Sequence, residues 1–185
     1  GIKVGWHNSN EFVHNLPKGF GENSILIVAS HKGNTSETVK AAELGKSYGV
    51  PVIALTWVPD SPITEFADYI VDYSFGERKD ISQEKTIQGL LLAVEILQQT
   101  EGYEHYEAFM DGVSKIHAIV KQACELVGRR AKVFAKQYKN DKVIYTIGSG
   151  AGYGAAYMEC ICIFMEMQWI NSNSIHSGEY FHGPF

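Results

Sequence analysis

The 185-residue chain carries a formal charge of −5 and 45% hydrophobic residues. That is enough apolar material for one domain or two small ones, without the positive excess that draws a protein to nucleic acid or acidic membranes. No apolar run reaches the length of a membrane span, no signal-peptide pattern opens the sequence, and the odd set Cys124, Cys160 and Cys162 together with seven histidines lacks zinc-ligand spacing, which predicts reduced thiols in a cytoplasmic protein and no metal site.

In chain order, "KVGW" at Lys3–Trp6 reads as a strand and Glu11–Asn15 as a short helix. Ile25–Ala29 is an apolar, β-prone run of the kind buried on both faces, and Ser30 closes it. From Ser36 the pattern turns helical, with Ser36 or Thr35 as cap and Gly49 as stop, and "PVIALTW" at Pro51–Trp57 is the next strand. A short helix capped by Ser61, with Pro62 in its first turn, leads to a strand near Tyr69–Val71. A helix from Asp80 or Ser82 to Gly102 follows, then one long or two joined helices over 104–138. At Asn140–Asp141 the pattern restarts with strand "KVIYTIG", the Gly-rich loop "SGAGYG" and a helix over Ala155–Trp169. Cys160 and Cys162 fall in that apolar helix and are expected to be buried thiols. The order of elements predicts α/β architecture: parallel, doubly wound sheets of flavodoxin or Rossmann type on both sides of a helical middle.

"SHKGNTSET" lies where a parallel strand hands over to a helix. Free N–H groups and the helix dipole favour an anion there. Ser30, Lys32, Asn34, Thr35 and Ser36 add donors, and Gly33 lets the backbone bend close, so a phosphate fits. The same residue types gather at helix starts for capping alone, and both readings stand. The loop matches neither the Walker pattern nor G-x-G-x-x-G, which argues against ATP or NAD.

Near the end of the chain, Glu166 sits among Phe164, Met165, Met167 and Trp169. Such a carboxylate either faces solvent or is buried, and burial would raise its pKa toward the range useful for proton transfer. Glu159, seven residues earlier, would share its face on an α-helix. In "HSGEYFHGPF", Gly178 and Gly183 bracket a helical turn carrying Glu179 and His182, which with His176 serve either chemistry or capping.

Together these segments resemble the sugar isomerase (SIS) domain family. "SHKGNTSET" is similar to its phosphate loop, and "SGEYFHGP" to the G-E-x-x-H-G-P element of glucosamine-6-phosphate synthase. "VASHKGNT", "SGAGYGAAYMECICIFMEMQWI" and "IHSGEYFHGPF" look most like fructosamine-6-phosphate deglycases. The resemblance implies phosphate or substrate binding by Ser30, His31, Lys32, Gly33 and Thr35, with Lys32 where the synthase has Ser. It implies Glu166, sixteen residues before His182, as catalytic glutamate and His182 as catalytic histidine, with Ser149 and Glu179 as supporting residues. The synthase's lysine one turn before its glutamate is here Ile163, which weakens any copying of its isomerase chemistry.

The implied reaction is cofactor-free hydrolysis of a 6-phosphofructose-amino acid to glucose 6-phosphate and a free amino acid. His182 would assist ring opening, and Glu166 would move a proton between C1 and C2. The alternatives are an aldose–ketose isomerase or aminosugar-phosphate deaminase, or a sugar-phosphate sensor without catalysis. The implied assembly is a homodimer with active sites at the subunit interface, in the bacterial cytoplasm, binding neither nucleic acid nor membrane. Residues 1–80 would be part of a first SIS domain, 81–138 a helical connection, and 139–185 the start of a second. Both domains read as incomplete, and the chain as a fragment of a longer protein.

Overall fold

The computed structural model describes residues 1–76 and 80–183, and the chain divides into two units, Gly1–Cys124 and Glu125–Phe185. In the first, the run Val-Ile-Ala-Leu-Thr holds no charge and forms strand β2, Val52–Thr56, buried at every position. β1, Leu26–Ala29, and β3, Tyr69–Asp72, flank it in the order β1-β2-β3, all parallel, with Leu26 opposite Val52 and Ile53 opposite Tyr69. This order steps in one direction, so the reversal that defines a doubly wound sheet does not occur among the described residues.

α2, Ser36–Ser47, covers the sheet through buried Ala41 and Ala42. Small residues bring it close: a Cβ on Gly45 would meet Leu26 Cδ2 at 2.5 Å. α1, Ser9–His14, is capped by the Asn8 side chain and seats Phe12 in the same core. Burying side chains such as Val28, Val52 and Ile63 stabilises the unit by about 1.5–3 kcal/mol each. Ile63 belongs to a 3-10 turn, Pro62–Phe66, with Pro62 in its opening position as expected. Asp80 caps a further 3-10 turn at Ile81–Gln83, after which come α3, Lys85–Thr100, and α4, the single helix Tyr106–Tyr138. The expected strand at Lys3–Trp6 does not form. No neighbouring strand pairs with it among the described residues, and Val4 and Trp6 are left exposed.

In the second unit, β4, Val143–Gly148, pairs in parallel with β5, Asn171–His176, from Val143 opposite Asn171 to Gly148 opposite His176. Between them run α5, Ala151–Met158, and a π-helical stretch, Glu159–Met167. The helix begins four residues earlier than the sequence suggests, inside the Gly-rich stretch, because Gly148 admits it. A Cβ there would meet Gly152 O at 2.8 Å and Ala156 Cβ at 2.9 Å. The Thr146 hydroxyl donates to Ala156 O at 2.8 Å and fastens helix to strand. Cys160 is fully buried, while Cys162 is half-buried and Cys124 exposed, so the expectation of two buried thiols holds in full only for Cys160. Two residues past the π stretch, Trp169 is exposed and at φ +58°, a left-handed conformation that costs an L-residue about 1–2 kcal/mol.

Candidate functional site

The loop after β1 is built around Gly33. Its φ of +65° and its contacts both require glycine, since a Cβ would lie 1.9 Å from Ser61 Oγ and 2.6 Å from Ser61 Cβ. Gly33 N–H donates to Ser30 O at 3.1 Å, and Gly33 O accepts from Ile63 N–H at 2.9 Å, so the bend is fixed from both sides. Across it the hydroxyls of Ser30 and Thr35 share a hydrogen bond of 2.9 Å. Thr35 holds the N-cap position of α2 without making a side-chain cap bond, which leaves its hydroxyl on the loop side. Lys32 is exposed. Four of the five expected phosphate contacts, Ser30, Lys32, Gly33 and Thr35, are thus gathered on one turn at the carboxyl end of β1, beside a recess of about 300 Å³ lined by Asn8, Ser9, Asn10, Thr35, Glu37 and Thr38.

Two features there were not foreseen. The Glu37 carboxylate occupies the helix N-terminus, held below its usual pKa range by its own backbone N–H and by the Ser36 hydroxyl, which donates at 2.9 Å. The His31 ring turns toward the ends of the neighbouring strands: Nδ1 shares a 3.0 Å hydrogen bond with Tyr73 OH, and the ring stacks on Trp57 and meets Phe75 edge-on. Burial, then Lys85, then Lys32 lower its pKa.

That shift has a consequence for stability. The unfolded chain takes up the proton first as pH falls below the ordinary value of 6.5, and the folded unit follows only lower. Stability is full above 6.5 and declines below it. Asp68, bonded to Lys46 and accepting from Val52 N–H at 2.9 Å, has a lowered pKa, so it gives way only as pH falls below its ordinary 3.8. Urea unfolding should therefore show a lower midpoint at pH 5.5 than at 7.5, and the difference should shrink in His31→Phe.

In the second unit, Ser149 follows β4, and the 3-10 turn Ser177–His182 follows β5, at the neighbouring carboxyl ends where open α/β sheets hold ligands. Glu179 and His182, three apart, eclipse on that turn. His176 is a cap: its Nδ1 accepts from Gly178 N–H at 3.1 Å. Pro184 of the H-G-P element lies outside the described residues.

Glu166 is exposed and lies in the π stretch, on the approach to β5. It makes no hydrogen bond or ion pair among the described residues, and the same holds for His182. In widened π turns, seven residues no longer close two turns, and Glu159 is half-buried where Glu166 is exposed, so the shared face expected on an α-helix is not kept. Glu166 and His182 lie on opposite sides of β5 along the chain. One precedes β5, the other follows it, and its six residues span roughly 20 Å. Among the described residues no three His, Cys, Asp or Glu side chains are grouped to hold a metal, and no helix is long and apolar enough to cross a membrane.

Comparison with known proteins adds an independent line. The SIS domain model matches residues 4–94. The chain is 41% identical to fructosamine deglycase FrlB of Bacillus subtilis over 97% of its own length and 55% of that protein. It is 32% identical to a fructoselysine 6-phosphate deglycase of Escherichia coli over 97% of this chain and 51% of that one. A crystal structure from Salmonella typhimurium, assigned provisionally as a phosphosugar isomerase, superposes with a TM-score of 0.96 at 48% identity, covering 99% of this chain and 56% of that one. The chain thus spans about half the length of these relatives.

Proposed function

We propose that the chain, which matches the SIS domain model over residues 4–94, takes a sugar phosphate as its ligand, and that the full-length protein hydrolyses a 6-phosphofructose-amino acid to glucose 6-phosphate and a free amino acid. The observation that carries this reading is the 41% identity to a fructosamine deglycase along nearly the whole chain. Lys32, Ser30, Thr35 and the backbone at Gly33 hold the phosphate. His182 assists opening of the sugar ring, and Glu179 and Ser149 support the substrate site. Glu166 takes a proton from C1 of the open-chain ketoamine and returns it at C2 through an enaminol. The product is a Schiff base of glucose 6-phosphate, and water releases the amine. The C2 carbonyl acidifies the neighbouring C1–H and takes up the charge as the enaminol oxygen, so this chain's own acid and base suffice for the proton transfer.

The separation of Glu166 from His182 along β5 supports a homodimer in which each site takes these two residues from different subunits. Residues 139–185 are read as the opening of a second SIS domain, 81–138 as a helical connection, and 1–80 as part of the first.

The test is to incubate the full-length protein with fructose-asparagine 6-phosphate and fructoselysine 6-phosphate and follow glucose 6-phosphate with a coupled dehydrogenase. Release of product from either supports the proposal, and the faster substrate identifies the amino acid. Turnover of fructose 6-phosphate or glucosamine 6-phosphate instead moves the protein to the isomerase or deaminase class. Binding without turnover of any of the four identifies a sensor. In the same assay Lys32→Ala should raise KM by about 3- to 30-fold with kcat little changed, because an exposed cation adds binding shared by ground and transition states. The effect should diminish at high salt.

A further inference from the structure

We infer that His31 is a positioning residue that sets the phosphate loop from the sheet side, its imidazole directed away from the ligand and onto Tyr73. This rests on the phosphate-loop reading above and changes the role of one residue in it. The geometry points the ring firmly. Its Nδ1 is engaged with Tyr73 OH at 3.0 Å, and its faces and edge are occupied by Trp57, with ring centres 5.4 Å apart and 15° between planes, and by Phe75 at 4.4 Å. These partners follow β2 and β3, whereas the Ser30–Thr35 hydroxyl pair faces the start of α2.

The backbone of the same residue is held as tightly. His31 O accepts from Trp57 N–H at 3.0 Å and from the Thr56 hydroxyl at 3.3 Å. Residue 31 is therefore clamped by its carbonyl to the end of β2 and by its side chain to the residue after β3, and the turn carrying Lys32 and Gly33 springs from that clamp. Tyr73 suits the task. It is 7% exposed, and burial raises its pKa, so the phenol stays protonated and available to a neutral imidazole. An imidazole committed in this way shapes the loop without meeting the phosphate.

A double-mutant cycle separates positioning from contact. In the full-length protein, fructose 6-phosphate binding is titrated calorimetrically for wild type, Tyr73→Phe, His31→Leu and the double variant. Each single change should weaken binding by about three- to tenfold, the value of one partly buried hydrogen bond, and the double variant should be no weaker than the poorer single. The kcat for deglycation should move less than about twofold while KM follows the binding loss. His31→Asn, which keeps a polar atom near the Nδ1 position, should recover most of the affinity. Losses that add in the double variant would put the imidazole on the ligand and overturn the inference alone. Absence of binding by wild type would overturn the phosphate-loop reading and this inference with it. Should His31→Leu fail to fold, unchanged affinity in Tyr73→Phe, which preserves the ring, is sufficient to overturn it.

Discussion

Replacing Glu166 with glutamine should lower kcat for deglycation by about 10²–10⁴-fold, the usual contribution of one acid-base group, while fructose 6-phosphate still binds. The substitution keeps shape and removes the proton acceptor. Glu166 is exposed and makes no hydrogen bond or ion pair among the described residues, so little stability depends on its charge; such surface changes stay within about 0.5 kcal/mol. A loss of activity with an unchanged melting curve is therefore chemical. The companion variant His182→Asn should also be inactive. Because β5 lies between the two residues, mixing the variants is informative. If each site draws them from different subunits, half of randomly mixed dimers carry one intact site, and activity should return to about a quarter of wild type. Recovery near zero would place both residues in one subunit's site and refute the shared arrangement. Full activity in Glu166→Gln would remove it from the mechanism.

Gly33→Ala should abolish sugar-phosphate binding and lower the stability of the first unit. The left-handed backbone at φ +65° costs alanine about 1–2 kcal/mol, and the new methyl adds overpacking of about 1–3 kcal/mol. The methyl would press on Ser61 Oγ and Cβ, and its third neighbour is Ile63 Cγ2 at 3.0 Å. Ile63 is fully buried, so it cannot yield outward. The loop must move instead, which breaks the bond from Ile63 N–H to Gly33 O and parts Ser30 from Thr35. Calorimetry and thermal unfolding should change together. An alanine variant that binds fructose 6-phosphate as wild type does would show that the loop does not hold the phosphate. For comparison, Gly49→Ala faces open space at a similar φ of +69° and should cost stability without affecting binding.

The first unit was the more legible because its signals are local. A buried apolar run, a polar turn with one glycine and a capped helix start each have a short-range cause, and Leu26–Ala29, Gly33 and Ser36–Ser47 fall where those causes place them. The strand at Asn171–His176 was not legible. "NSNSIH" offers asparagine and serine where strands prefer β-branched and aromatic residues, and it becomes a strand because β4 supplies a register to pair with. The reverse error at Lys3–Trp6 has the same origin: strand composition without a partner stays irregular. At the site, types and spacing identified the candidate residues but not their commitments. The His31 contacts with Tyr73, 42 positions away, and with Trp57 depend on the β1-β2-β3 order, which no local pattern encodes.

The widened turns over Glu159–Met167 also bear on how this chain is compared with its relatives. A π turn accommodates an extra residue without lengthening the helix by much, so a relative lacking one residue of that stretch ahead of Glu166 would relax to ordinary helical geometry. Everything between the deletion and the helix end would then swing by about 100°. Such a protein would still have a glutamate sixteen places before its histidine, and an alignment would pair it with Glu166 without hesitation. Its carboxylate would nevertheless point in another direction, so gaps in this helix are a better guide to shared chemistry than the glutamate itself.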